Sequence, residues 1–362
     1  MDIVINKCPF PLGGVCWSKA NRYIIGTISC IYLVMPKVAP EGSDFVKREA
    51  SASIDSLIDI EAISLFDGLP EEFPFSDAIV ALATDSSIKM IANSDNPDVL
   101  NWTQVASHQL GSGKEHVVSI SSYIAAGSDG GLIPVVACGS VGGHIEFIRF
   151  SPGPADTNNQ TGADKEPAVV AESLLHTTTS NSNLIAHMAW LSGGSSSASD
   201  GHLFTSCSTD GTATLWRVSQ DIDQIEQIAI IGGEDWSTFT AHGVGSNVAV
   251  LAKIGMAAVI DTNPGGDYHV QYLPLDVSQT VVSCVVDDLR GRIYIGSNDF
   301  VFFVLACVDG KWIRADEEEA ALRDGLRKTI VKSFTTKFNM NQLFLRGMEL
   351  SPNGRYLKFA AE

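Results

Sequence analysis

The sequence predicts an all-β chain folded as a β-propeller, a single ring of small sheets. Three observations carry that expectation: a complete two-strand unit with its turn at His202 to Val218, weaker copies of that unit elsewhere in the chain, and a composition suited to buried strands. In HLFTSCSTDGTATLWRV the pair Asp210-Gly211 marks the turn. Glycine accepts positive φ without a Cβ penalty, and aspartate hydrogen-bonds nearby backbone amides, so this pair between two short arms favours a tight hairpin. The first arm, Leu203 to Ser208, is apolar and hydroxyl-rich, and the second, Thr212 to Val218, alternates Thr and Trp with Ala and Leu. Both arms read as strands.

The order Ser206, Asp210, Gly211, Trp216 adds a chemical reason for the unit. A hydroxyl, a turn carboxylate and an indole N–H fall on adjacent strands, where they can satisfy one another. That arrangement resembles a WD repeat, whose residues hold a blade together and catalyse nothing. Aligning on the six-residue step from Asp210 to Trp216 finds further copies. Residues 135–150 place Gly142-Gly143 at the turn and Phe147 in the tryptophan position, and residues 81–92 place Asp85 at the turn and Ile91 in that position. Residues 292–306 turn at Asn298-Asp299, and residues 247–261 turn around Ile254-Gly255.

Between these hairpins lie candidate first strands at 116–124, 183–192, 237–243 and 280–288, and outer strands at 168–176, 225–233, 268–275 and 311–315. Four strands per unit follow. Adding a partial unit at 13–35 and a closing one at 347–362 gives about seven blades in one domain spanning 1–362. The closing unit holds two strands, so MDIVIN at the start is expected to pair into it and complete the ring, because an open edge would leave backbone groups unpaired. Residues 36–75, 152–167 and 193–201 read as surface loop insertions. Residues 316–338 begin acidic and end basic, which suits a helix dipole and predicts a short helical insertion before the last blade, read as a solvated connector rather than a partner-docking helix.

Composition bounds the function. The 362 residues are 45% hydrophobic and 18% charged, which excludes a disordered chain. Acids outnumber bases, 42 to 24, for a formal net charge of −18, and such a surface discourages nucleic acid and anionic membranes. The charge serves solubility first and is also compatible with basic protein partners. Seven cysteines with no CxxC pair suggest reduced core thiols. The N-terminus lacks a signal-peptide pattern and the longest apolar run, Val301 to Val308, is too short to span a bilayer, so an intracellular, soluble protein is expected.

The patterns of catalysis fail one by one. There is no GxxxxGK[ST] loop and no GxSxG elbow, since residues 243–247 lack the final glycine. The eight histidines are dispersed, with no HExxH and no cysteine at ligand spacing. No catalytic residue, metal, cofactor or small-molecule ligand is expected, and the Lys and Arg residues are not interleaved with aromatics as single-strand binding requires.

Several segments resemble one family, the N-terminal propeller of the delta or 90-kilodalton subunit of transcription factor IIIC and its fungal relatives. They are VCWSKANRYIIGT (15–27), ALATDSSIKMIA (81–92) followed by VLNWTQVASHQLG (99–111) with Trp102 leading an outer strand, and GMELSPNG (347–354). Together they cover about a fifth of the chain, and family members continue past the point matching residue 362. The resemblance implies a nuclear, non-enzymatic interaction scaffold that supports RNA polymerase III transcription, with the other subunits of that complex as partners; the charge balance, and not the resemblance, predicts no direct contact to nucleic acid. Acetyltransferase activity has been attributed to some members, but no motif here carries it. The competing expectation is a WD-repeat adaptor in another nuclear or cytoplasmic complex.

Overall fold

The computed structural model describes residues 2–7, 12–17, 23–27, 31–36, 45–50, 60–93, 102–110, 115–153, 169–179, 183–191, 201–232, 240–242, 248–253, 255–262, 268–275, 281–287, 289–297, 301–333, 345–350 and 356–361. Strand β1 (Asp2–Lys7) precedes a first sheet of β2 (Leu12–Trp17), β3 (Tyr23–Thr27), β4 (Ile31–Pro36) and β5 (Phe45–Ala50). The second sheet is β6 (Ile60–Asp67), β7 (Asp77–Ala83), β8 (Ser87–Asn93) and β9 (Trp102–Gln109). The third is β10 (Val117–Ala126), β11 (Leu132–Ser140), β12 (His144–Pro152) and β13 (Val169–Thr178), and the fourth is β14 (Ile185–Leu191), β15 (His202–Ser208), β16 (Thr212–Val218) and β17 (Ile225–Gly232). The fifth is β18 (Thr240–His242), β19 (Val248–Lys253), β20 (Met256–Thr262) and β21 (Tyr268–Pro274). The sixth is β22 (Val281–Asp287), β23 (Arg292–Ser297), β24 (Phe302–Val308) and β25 (Lys311–Arg314). Helix α1 (Asp316–Ser333) then leads to β26 (Leu345–Leu350) and β27 (Tyr356–Ala361).

Within each of the six four-stranded sheets the chain runs from one side to the other through antiparallel neighbours. The first strand of each sheet lies against the first strand of the next: β2 against β6, β6 against β10, β10 against β14, β14 against β18, β18 against β22, β22 against β26 and β26 against β2. The last sheet has the order β1-β27-β26, with β1 parallel to β27 from Asp2 opposite Tyr356 to Lys7 opposite Ala361.

Apolar side chains fill the space between sheets. One cluster joins Ile88, Met90 and Ala92 of β8 to Ile148 and Phe150 of β12, and another joins Phe147 of β12 to Trp190, Phe204 and Trp216 of the fourth sheet. A strand with a sheet on each side is buried on both faces, as β15 is along its whole length although His202, Thr205, Ser206 and Ser208 are polar, so strict apolar-polar alternation is lost.

A repeated device brings the first strands close together. Six of the seven carry a register shift right after their first residue, as between Val117 and Ser119 and between Val281 and Ser283. Ser119 sits opposite Gly139, and its hydroxyl donates to the carbonyl of Ile185 on the next sheet at 2.7 Å. Ser283 sits opposite Gly296, and its hydroxyl accepts from the Met348 amide at 3.1 Å. The bulge turns the serine toward the neighbouring sheet, and the glycine leaves room for that neighbour. A Cβ at Gly139 would stand 2.6 Å from Ser119 Oγ and 2.7 Å from Ile185 Cγ2, and one at Gly296 would stand 2.6 Å from Leu345 Cδ2.

Three expectations need correction. Residues 36–75 are not a loop insertion, since they contain β5 and β6, and the connection that follows buries Phe73 and Phe75. The acidic residues hid β6, whose buried positions, Ile60, Ile63 and Phe66, fall every third residue instead of every second. Phe147 does not occupy the tryptophan position either. Trp216 pairs with Phe204, and the equivalent pair in the third sheet is Ile148 with Val136; Phe147, one residue earlier, faces the following sheet. The register of a strand alternates faces, so an offset of one residue reverses the side.

Helix α1 forms where the charge pattern places it, and residues 334–338 of the expected insertion lie outside the described residues. It is not a solvated connector. Leu322 and Leu326 are buried among Tyr294, Phe302, Leu345 and Leu357, so the helix packs where the sixth and seventh sheets meet. Glu319, 2% exposed, accepts from Arg314 at 2.8 and 3.0 Å and from Arg323. Glu318 takes the Arg292 guanidinium at 2.7 to 3.0 Å, and that ion pairing holds the Glu318 carboxyl below its ordinary range. The two other expected loop insertions, 152–167 and 193–201, fall mainly outside the described residues.

Substituting Gly139 by Ala inserts one methyl into a close contact between the third and fourth sheets. The expected loss is about 1 to 3 kcal/mol of unfolding free energy, the usual cost of overpacking. Denaturant titration reads this directly, and a midpoint equal to that of the unsubstituted protein would contradict the described seam.

Candidate functional site

The four residues singled out in the sequence lie together on the β15–β16 hairpin. Trp216 Nε1 donates to Ser206 Oγ at 2.8 Å, and both residues are buried. Gly211 adopts φ +83°, the left-handed value that the turn needs and that glycine supplies without strain. Asp210 serves the turn itself: its Oδ1 accepts from the Thr212 amide at 2.9 Å and the Thr212 hydroxyl at 2.6 Å, and its Oδ2 accepts from Asn183 Nδ2 at 3.2 Å. The indole, hydroxyl and carboxylate thus divide into two linked jobs, and Asn183 and Thr212 belong to the motif although the sequence reading passed over them. The signal was present, since a hydroxyl residue two positions after a turn aspartate is the pattern of an Asx-type turn.

That pattern repeats in the second sheet with the same geometry. Asp85 Oδ1 accepts from the Ser87 amide at 2.9 Å and the Ser87 hydroxyl at 2.6 Å. Burial alone would raise the Asp85 pKa, but the Ser87 hydrogen bonds and the nearby Lys89 charge bring it below its ordinary value. In the third sheet Ser140 does the work of the aspartate, accepting from the Gly142 and His144 amides at 3.2 and 3.1 Å. The recurring element is a capped turn between the second and third strands of a sheet; the Trp–Ser hydrogen bond is described only in the fourth.

Nothing among the described residues assembles nucleophilic chemistry. Ser173 Oγ lies 3.0 Å from His176 Nε2, but Glu146 Oε1 approaches that same nitrogen at 3.9 Å, so the carboxylate does not orient the ring from its opposite nitrogen as a catalytic triad requires. Burial pushes the Cys138, Cys207 and Cys284 thiols well above their ordinary pKa, which keeps them protonated and unreactive. Burial also lowers His187, on the bulge of β14, to about 4, so it is neutral at pH 7. No group of three or more His, Cys, Asp or Glu among the described residues is placed to hold a metal ion, and no described helix is long and apolar enough to cross a membrane.

A cavity of about 400 Å³ opens at the end of the molecule where first strands turn into second strands. Its wall comes from three successive sheets: Phe73 from the β6–β7 connection, Leu132 and Arg149 from the third sheet, and Asp221 from the β16–β17 loop. Ser128 binds the Asp221 carboxylate through its amide at 3.0 Å and its hydroxyl at 2.7 Å, and these bonds lower the Asp221 pKa.

No protein-family model matches the sequence, and no curated protein matches it. Among solved structures, 889 chains resemble the fold, so the likeness speaks for architecture and not for one partner. One of them, from the crystal structure of the mitotic checkpoint complex, aligns over 96% of this chain and 82% of its own length with a TM-score of 0.56 and 11% sequence identity. That chain is a WD40 propeller, a fold that is typically non-enzymatic.

Replacing Trp216 by Ala is expected to cost about 3 to 5 kcal/mol, the range for truncating a large buried aromatic. Ser206→Ala leaves the indole N–H without its acceptor and is expected to cost about 1 to 3 kcal/mol. Thermal and denaturant unfolding check both, and a Trp216→Ala protein that melted with the parent would remove the motif from the account. The all-β architecture, the capped hairpins and the solved neighbour together identify the fold as a propeller of the WD40 type.

Proposed function

We propose that this chain is a non-enzymatic protein–protein interaction scaffold, a closed WD-repeat propeller of seven blades that works in the nucleus as a subunit of transcription factor IIIC and supports RNA polymerase III transcription. The observation that carries the scaffold reading is the cyclic order of first-strand contacts, which returns from β26 to β2 and leaves the sheets devoted to one another. The parallel pairing of β1 with β27 supports closure. A fold stabilised in this way presents loops and blade edges to partners, and the solved neighbour also belongs to a multiprotein complex.

The finer reading draws on the order of the family-like segments. Residues 15–27 run from β2 into β3, residues 81–92 form most of the β7–β8 hairpin, Trp102 leads the outer strand β9, and Gly347 to Leu350 end β26. In this order they fall in the first, second and last sheets. The net charge of −18 favours leaving DNA contact to partner subunits. A second reading, a WD-repeat adaptor in another complex, draws on the breadth of structural neighbours.

Affinity purification of the full chain from its native cells tests the proposal. Co-purification of the other transcription factor IIIC subunits is the expected result. Recovery of ubiquitin-ligase or signalling assemblies in their place would replace it with the adaptor reading, and acetyl-CoA turnover by the pure protein would overturn its non-enzymatic part.

A further inference from the structure

The cavity shared by the second, third and fourth sheets is set apart by its charge. Glu72, Asp129 and Asp221 line it and are exposed, whereas the one cation in its wall, Arg149, is already matched by Glu172 at 2.6 Å. Three carboxylates therefore face the opening without a cation of the wall left to balance them. Apolar side chains stand beside the carboxylates: Phe73 is buried in the wall, and Leu132 is 51% exposed.

The wall is also firmly built. Asp129 Oδ1 caps the turn by accepting from the Gly131 amide at 2.8 Å. The β16–β17 loop is tied by Ser219, whose hydroxyl accepts from the Asp223 and Gln224 amides at 3.0 and 2.9 Å, and it is anchored by Ile222, which is fully buried. Asp221 sits between those anchors, and the Ser128 hydrogen bonds that lower its pKa keep it ionised at neutral pH. A site whose charges and loops are already fixed spends little ordering itself on binding.

The geometry points to this cavity as the docking site for a short segment of a partner protein in which a lysine or arginine neighbours an apolar side chain. The apolar side chain fills the space against Phe73 and Leu132, and the basic residue meets Glu72, Asp129 and Asp221 at the rim. A volume of about 400 Å³ admits one or two side chains and not a folded domain. The acidity of the whole chain steers such a segment toward it. This inference rests on the scaffold reading and names the class of partner for one of its surfaces.

A phage-displayed dodecapeptide library selected on the full chain tests it. Enriched peptides are expected to carry Lys or Arg beside Leu, Ile, Phe or Met, and to bind more weakly as salt rises from roughly 0.05 to about 0.5 M. Glu72→Lys and Leu132→Asp, both at exposed positions, are each expected to weaken binding by about tenfold or more at an unchanged melting temperature. Peptides without basic residues, or binding indifferent to salt and to both substitutions, would overturn the assignment. Native-cell purification separates the two proposals: partners retained by the Glu72→Lys, Leu132→Asp double variant would dismiss the cavity and spare the scaffold, whereas no specific partner on the unsubstituted chain would dismiss the scaffold.

Discussion

The close approach of neighbouring first strands is the constraint on which the rest of the structure depends. At Ser119 and Ser283 a bulge aims a hydroxyl across the seam, and the missing Cβ of Gly139 or Gly296 lets Ile185, Leu345 and Met348 come within contact. Other seams reach the same end differently. Ser64 and Ser122 hydroxyls meet at 2.6 Å between the second and third sheets, and Trp190 Nε1 donates to the Ser121 carbonyl at 3.2 Å between the third and fourth. Farther out, Gln271 bonds both the amide and the carbonyl of Trp312, while the Trp312 indole reaches Asp261, tying the fifth sheet to the sixth. Buried polar groups are thus matched across each of these seams, as a low-dielectric interior requires.

Much of this was legible in the sequence, because the hairpins are local. The Asp210-Gly211 and Asp85 turns depend on residues within a few positions of one another, and turn chemistry reports them; the outer strand led by Trp102 came only with the family resemblance. What stayed hidden was set by distant partners. The β5 sequence FVKREA places three charged residues in a row on an outer strand, so no alternation announces it. Phe147 lies one residue short of the tryptophan position, since six residues from Gly142 lead to Ile148, which stands opposite Val136 as Trp216 stands opposite Phe204. Helix α1 was readable as a helix from its charges, but the burial of Glu319 with Arg314 and Arg323 depends on where the sixth sheet lies. The cavity rim had no signal at all, since Glu72, Asp129 and Asp221 come from three sheets and are ordinary turn residues in the sequence.

The same economy links fold to function. Capped turns and seam hydrogen bonds occupy most of the polar chemistry described in the interior, and the thiols and His187 are held in unreactive, uncharged forms by burial. What the molecule offers outward is shape and negative charge, presented by the loops between strands.

The central claim is that one ring is completed by the N-terminal strand on β27. Removing residues 2–7 strips that strand from the last sheet and leaves the β27 edge unpaired. Thermal melting together with sedimentation velocity on the full chain and the deletion tests the claim most directly. The account predicts a melting temperature lower by about 5 °C or more, with added self-association. An unchanged melting temperature and an unchanged monomer would show that the ring does not depend on β1 and would contradict the account.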